Sequence, residues 1–170
     1  MKAQRESHSC HGVMVCIHGQ GVLITGEAGM GKSSLALELV SEGHQLVADD
    51  VIEVSCSDNQ LYGHCPNMLK GLLNSRELGT IDIEKLFGIS ATVESAPLQY
   101  IVELNPNPLP GKLEGQQQTT TLLQQQLPSI RLNPNAAASV SSRLLTWLKM
   151  QHQADANLEL RRRQAAQMQS

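Results

Sequence analysis

The sequence predicts an α/β domain built on a mixed sheet. Short apolar runs rich in β-branched residues fall into hairpin-like pairs, Val13–Ile17 with Val22–Thr25 and Val51–Ser55 with Gln60–His64. One strand–loop–helix unit is set among them, the apolar run to Thr25 leading through Gly26–Ser33 into an amphipathic stretch. Hairpins combined with a single crossover unit argue for a mixed sheet rather than a uniformly parallel one.

The first pair is expected to turn at Gly19-Gln20-Gly21. From Ser33 to Glu42 the apolar residues Leu35, Ala36, Leu39 and Val40 recur at helical spacing, and Gly43 supplies a stop. Gln45–Ala48 is a further strand, expected to end in Asp49-Asp50, and Ser57-Asp58-Asn59 is the turn of the second hairpin. Met68–Leu73 suggests a short helix, Ile81, Ile83 and Leu86 a strand or turn, and Gln99–Leu104 a strand. Asn105-Pro106-Asn107-Pro108-Leu109-Pro110-Gly111 can continue neither ladder nor helix. The Gln- and Thr-rich stretch from Gln116 to Gln126 is expected as loop or edge. Ala136–Met150 is expected as a helix with Val140, Leu144, Trp147 and Leu148 on one face, and the polar remainder with Arg161-Arg162-Arg163 as a fraying end. The resulting division is a domain over 1–150 and a polar tail over 151–170.

Apolar residues form 41% of the 170, yet there are only one Trp, two Tyr and one Phe, so the core is expected to be aliphatic. A net charge of −3 gives no reason to expect nucleic acid as partner. The uncharged stretch Ser7–Gly26 has the length of a membrane span, but its four glycines and three histidines argue against one. Four cysteines without C-x-x-C spacing and without an export signal point to reduced thiols in the cytoplasm. A zinc site from His8, Cys10, His11, His64 and Cys65 fits no standard spacing.

The chemistry lies in Gly26-Glu27-Ala28-Gly29-Met30-Gly31-Lys32-Ser33, the pattern G-x-x-x-x-G-K-S between a strand and a helix. Glycines let successive backbone N–H groups face phosphate oxygens, and the helix N-terminus adds its positive dipole end. Lys32 would neutralise nucleotide phosphates and the Ser33 hydroxyl would hold Mg²⁺, so ATP with magnesium is the expected ligand. Asp49 and Asp50 can hold metal-bound waters or take a proton from an attacking hydroxyl. His11 stands just before a strand and can orient a carboxylate, or be a plain surface histidine.

The order His11-Gly12-Val13, then Gly21–Ser33, then Gly43-His44-Gln45-Leu46-Val47-Ala48-Asp49-Asp50 resembles the HPr kinase/phosphorylase family. Arg76-Glu77-Leu78-Gly79-Thr80-Ile81-Asp82-Ile83 with Leu86-Phe87-Gly88 is similar to its second signature, and Leu127–Pro134 to a segment of its short members. The resemblance implies a P-loop kinase fold like the nucleotide-binding part of phosphoenolpyruvate carboxykinases. It further implies phosphoryl transfer from ATP to a serine of an HPr-like phosphocarrier, and a homo-oligomer. By similarity Asp49 would be the base, His11 its support, and Lys32 and Ser33 the phosphate and Mg²⁺ holders. Ser33, Asp50 and Asn74 become the candidate metal ligands, and Lys112 aligns with a catalytic Arg. Asn74 stands where the family has a Glu ligand, and the loop linked to dephosphorylation is replaced near Arg131–Ala138, so the reverse reaction is not expected. With ten residues ahead of His11, the family's N-terminal regulatory domain is expected to be absent. Asn74 favours a rival, a catalytically weak or inactive nucleotide-binding regulatory module of the same fold; intact Lys32, Ser33 and Asp49 favour the enzyme. A small-molecule kinase would need an acceptor pocket that the sequence does not display.

Overall fold

A computed structural model describes residues 7–111 and 117–169. Among the described residues, nine strands and three α-helices divide between two compact units, residues 1–135 and 136–170.

In the first unit, β1 (Ser7–Ile17) and β2 (Gln20–Thr25) form an antiparallel hairpin. Its two-residue turn is His18-Gly19, one position earlier than expected, with both residues at positive φ (49° and 78°). Such a mirror-image turn matches the strands' own twist. The glycine-rich loop then leads into α1 (Lys32–Ser41), and the chain returns as β3 (Gln45–Ser57) on the far side of β1. Asp49-Asp50 therefore does not end a strand; β3 runs through it, and Asp50 takes a left-handed φ of 72° opposite Gly12. The β-branched residues on both sides, Val47, Val51, Ile52 and Val54, sustain the extended backbone across that irregularity.

β4 (Gln60–His64) follows through an Asp58-Asn59 turn. Over 68–73 the expected helix is replaced by a single 3-10 turn at Asn67–Leu69 and by β5 (Leu72–Ser75), which pairs with β6 (Gly79–Asp82). Only Leu73 and Ile81 of this hairpin are buried, an alternation that a strand delivers and a helix would not. The helix α2 (Ile83–Phe87) is capped by Asp82, whose carboxylate accepts from the Lys85 N–H. β7 (Ser95–Leu104), β8 (Gln118–Leu122) and β9 (Gln125–Leu132) complete the sheet. Of the Gln/Thr-rich stretch, Gln118–Leu122 is thus an edge strand, Thr119-Thr120-Thr121 supplying its β-branched residues, and Gln116 lies outside the described residues.

The strand order is β2-β1-β3-β4-β7-β9-β8, and β7 also pairs with β2. Five strands therefore close into a ring, with β9 and β8 as its extension. β7 pairs parallel with β2 and β9, the other pairs being antiparallel, so the sheet is mixed. Met14, Leu23, Ile52, Leu61, Leu98 and Ile101 build the aliphatic core of this sheet. Met14 is fully buried and occupies the space over Gly21 and Gly63, where any β-carbon would collide with its thioether end. α1 buries Leu35, Ala36, Leu39 and Val40 and lies against β1, β3 and β5.

The second unit is the helix α3 (Val140–Met168), with Ser139 as N-cap accepting from the Ser142 N–H. The segment beyond residue 150 is helical, and the expected boundary at 150/151 lies inside α3. No helix among the described residues is long and apolar enough to cross a membrane.

Candidate functional site

The loop Gly26–Gly31 joins the top of β2 to α1. Gly31 is the helix N-cap at φ 94°, a left-handed conformation that glycine adopts without steric cost. It supplies no capping side chain, and the first turn of α1 holds no acidic residue. The orphan N–H groups of the first turn thus keep their positive field for an anion. Lys32 curls back over the loop, its Nζ donating to the Gly26 carbonyl at 2.6 Å and the Glu27 carbonyl at 3.0 Å. An ammonium held by neutral carbonyls keeps its full charge, so phosphate oxygens are stronger partners for it than those it has.

Ser33, on the first turn of α1, donates from Oγ to Asp49 Oδ1 at 3.1 Å, which ties the loop's helix to β3. Asp49 Oδ2 accepts the Asn74 backbone N–H at 2.7 Å, which adds β5. Asp49 is only 6% exposed. Burial raises its pKa above the usual carboxylate value and neighbouring Asp50 adds to the rise, while the Asn74 and Ser33 donors pull it back. Asp50 is exposed. Adjacent carboxylates in one strand thus face two environments, one dry and doubly hydrogen-bonded, the other open to solvent.

Asn74 joins this constellation through its backbone. Its side-chain Oδ1 accepts the Thr80 hydroxyl at 2.9 Å, across the β5–β6 pair. As a metal ligand it offers a neutral oxygen already in use. Arg76, two residues on, was not singled out by sequence reasoning as a site residue. Its guanidinium nitrogens lie 3.3 Å from where a β-carbon would stand on Gly29, so Arg76 lies over the glycine-rich loop. A second cation therefore flanks the anion site from the β5–β6 turn; the signal was its place in the Arg76–Ile83 segment.

The structure brings Gly26–Gly31, Lys32, Ser33, Asp49, Asp50 and Asn74 to one end of the sheet. His11 is on β1 opposite Val51, next to the Gly12–Asp50 pair, and makes no hydrogen bond to Asp49. It lines a separate cleft. Lys112 lies outside the described residues. For magnesium, the Ser33 hydroxyl and the two carboxylates are hard oxygen donors of the right kind. No group of three or more His, Cys, Asp or Glu converges on a point among the described residues. The donor set fits a metal that takes most of its remaining oxygens from phosphate and water, the usual habit of Mg²⁺.

Comparison with known proteins gives the site its setting. The HPr serine kinase C-terminal domain family matches residues 2–163. The HPr kinase/phosphorylase of Bordetella avium (strain 197N) is 52% identical over 95 residues, 55% of this chain and 31% of its own length. That of Lacticaseibacillus casei (strain BL23) is 43% identical over 129 residues, 74% of this chain and 40% of its own. The aligned part of this chain thus spans about a third of the length of these curated relatives. The solved structure of the Hpr(Ser) kinase/phosphatase from Coxiella burnetii superposes with a TM-score of 0.82 at 32% identity, over 89% of this chain and 94% of that one. With the family match spanning nearly the whole chain, and with that fold likeness, the chain belongs to the HPr serine kinase C-terminal domain family.

Proposed function

We propose that this chain is the catalytic domain of an ATP-dependent serine kinase whose acceptor is an HPr-like phosphocarrier. The observation that carries the proposal is the Ser33–Asp49–Asn74 tie, which assembles a hydroxyl, a buried carboxylate and a neighbouring exposed carboxylate beside an uncapped helix N-terminus. Names of the relatives, HPr kinase/phosphorylase and Hpr(Ser) kinase/phosphatase, support the acceptor class.

In this reading the loop amides, Lys32 and Arg76 hold the phosphates of ATP and offset the charge that develops on the transferring group. Magnesium, when bound near Ser33 and the acid pair, supplies further charge neutralisation. The acceptor serine oxygen forms a bond to the γ-phosphorus as the bond to the β–γ bridging oxygen breaks, and ADP leaves. The serine proton needs an acceptor within hydrogen-bond reach of the attacking hydroxyl. Asp49, expected from the sequence to be the base, is taken as that acceptor: each of its oxygens keeps a lone pair beside its bond to Ser33 or to the Asn74 N–H, and burial already raises its affinity for a proton. Asp49 also positions Ser33, and the exposed Asp50 is the carboxylate offered to the metal. The proposal takes residues 1–150 as catalytic and 151–170 as appendage, working in the cytoplasm. Lys112 is retained as a further cation for the transferring phosphoryl group and His11 as a neighbour of the acid pair. A homo-oligomer is part of it, supported by exposed apolar residues Met68, Leu78, Leu86 and Ile89.

Asn74 favours a second reading, a nucleotide-binding regulatory module, because its neutral side-chain oxygen is bound to Thr80. Incubation with γ-labelled ATP, Mg²⁺ and a purified HPr-like phosphocarrier separates the two. Label on the carrier supports the kinase; nucleotide binding without transfer supports the module.

A further inference from the structure

A second concave site lies on the face shared by β1, β2, β7, β9 and β8, with a cavity volume of about 290 Å³. Its architecture follows from strand register. Leu23 of β2 pairs with Ile101 of β7, Ile101 with Ser129 of β9, and Ser129 with Gln118 of β8, so one row of side chains crosses four strands. The next row is Thr25, Glu103 and Arg131. Leu23 and Ile101 of the first row, with Leu122, provide an apolar floor, and Ser129 and Gln118 join the second row in a polar wall. Apolar floor plus a few fixed polar groups is the usual make-up of a small-molecule site, and the volume is at the lower end of that class.

The polar wall specifies the ligand. Arg131 donates from Nε to Glu103 Oε1 at 2.5 Å and from Nη1 to the Asn107 carbonyl at 3.1 Å. These bonds engage two of the five N–H groups that a guanidinium carries and fix its plane. A fixed guanidinium with donors to spare recognises carboxylate or phosphate. His11, exposed on the opposite rim, is a second nitrogen donor when protonated. Glu103 has an oxygen to accept ligand hydroxyls, and the Thr120 hydroxyl, held to Ser129 Oγ at 2.9 Å, belongs to the same ring. A wall holding a cation and an anion side by side disfavours a bare anion. It suits an anion that also carries hydroxyl groups.

The geometry points to this cleft as a binding site for a small hydroxylated organic anion, separate from the phosphate loop but sharing its rim. Thr25 immediately precedes Gly26 of the loop, and His11 precedes Gly12, the partner of Asp50. A ligand here therefore lies beside the phosphoryl site without occupying it, and the site stands whether or not the kinase reading holds.

The test is direct binding to the isotopically labelled chain in the absence of nucleotide, read from the resonances of Thr25, Thr120, Ser129 and Arg131. Glycerate and glycerol 3-phosphate are the probes, the first carrying carboxylate and the second phosphate. At least one is expected to give saturable shifts confined to the cleft at millimolar concentration. Thr120→Tyr, on an exposed edge strand that welcomes aromatics, fills the cleft and should weaken binding by roughly tenfold or more. Gln118→Tyr serves the same end if the first variant does not fold, and Arg131→Lys should weaken binding several-fold by removing the fork. The proposal is overturned if neither probe gives saturable shifts, if the shifts survive the filling variants, or if they appear only at the N-terminus of α1. Adenosine producing the same shifts would also overturn it, by assigning the cleft to the nucleotide. Because no nucleotide or acceptor protein is present, these outcomes are independent of whether the chain transfers phosphate.

Discussion

The backbone N–H of Asn74 donates to Asp49 Oδ2 at 2.7 Å, so the β5–β6 hairpin is fastened to the central strand by the same carboxylate that holds Ser33. One buried acid thus joins three segments, and its removal or neutralisation is felt by all of them.

Asp49→Asn is expected to show this in the pH dependence of stability. The folded pKa is raised above the ordinary carboxylate value of 3.8 by burial. The folded state therefore holds its proton where the unfolded state has lost it, and stability falls as pH rises from that ordinary value through the folded pKa. Asparagine has no such penalty and can still accept from Asn74 while its amide donates to Ser33 Oγ. Unfolding titrations across that range should find the variant gaining on the wild type as pH rises. A constant difference at all pH values would show that Asp49 is not desolvated as described.

Asp50 has a different signature. A non-glycine residue at φ 72° costs about 1 kcal/mol of backbone strain. Asp50→Gly should therefore stabilise the fold by about that amount while removing the proposed metal carboxylate. Asp50→Asn should weaken Mg²⁺-dependent nucleotide binding, whereas Asp49→Asn should leave it largely intact and lower phosphoryl transfer roughly 10²-fold, the usual loss for a general base. Calorimetry and initial rates read the two effects separately. If Asp50→Asn lowers transfer with nucleotide binding unchanged while Asp49→Asn does not lower it, the proton goes to the exposed acid instead.

Restoring a carboxylate at 74 tests the metal site. Asn74→Glu should strengthen Mg²⁺-dependent nucleotide binding, because one anionic oxygen is a large part of a site with few protein ligands. The change also releases the Thr80 hydroxyl from its present acceptor. A Mg²⁺ titration of nucleotide affinity for wild type and variant gives the answer. Equal affinities at every Mg²⁺ concentration would place the metal away from β5.

How much of this was legible in the sequence varies by element. The strand–loop–helix unit, the hairpin pairing and the aliphatic core could be read because each is local: glycine positions, turn dipeptides and apolar period suffice. Asp49-Asp50 was misplaced at a strand end because two acids ordinarily stop a strand; the neighbour β1, with Gly12 opposite Asp50, keeps the strand running. Leu72–Ser75 is a strand because of its partner Gly79–Asp82, and a pairing across a turn leaves no helical or strand period in four residues. The polar end is a helix through Met168 since Gln, Ala, Glu, Leu and Arg are all good helix formers and no Gly or Pro interrupts them. At the site, the loop and its lysine were legible as a motif. Arg76 over Gly29, and the row Thr25–Glu103–Arg131, arise from long-range register and were not.

Packing inside the ring makes its own prediction. Gly63→Ala places a methyl group against the thioether of fully buried Met14, so the side chain must shift within the core. The expected loss is about 1–3 kcal/mol, typical of overpacking. Shortening Met14 to Val in the same chain should recover part of it, a coupling that a double-mutant cycle measures. Additive losses would mean that the two residues do not share the space.

The central claim is that the loop, Lys32 and the acid pair form a working phosphoryl-transfer site. The most direct measurement is the rate at which γ-labelled ATP with Mg²⁺ labels serine on an HPr-like phosphocarrier, with wild type and Lys32→Ala assayed side by side. The account predicts phosphoserine formation by the wild type, and a loss of at least tenfold in both ATP affinity and transfer in the variant, as a charge-assisted phosphate contact disappears. ATP bound equally well by both proteins, or wild-type protein saturated with Mg²⁺ and ATP that leaves the carrier unlabelled, would contradict it.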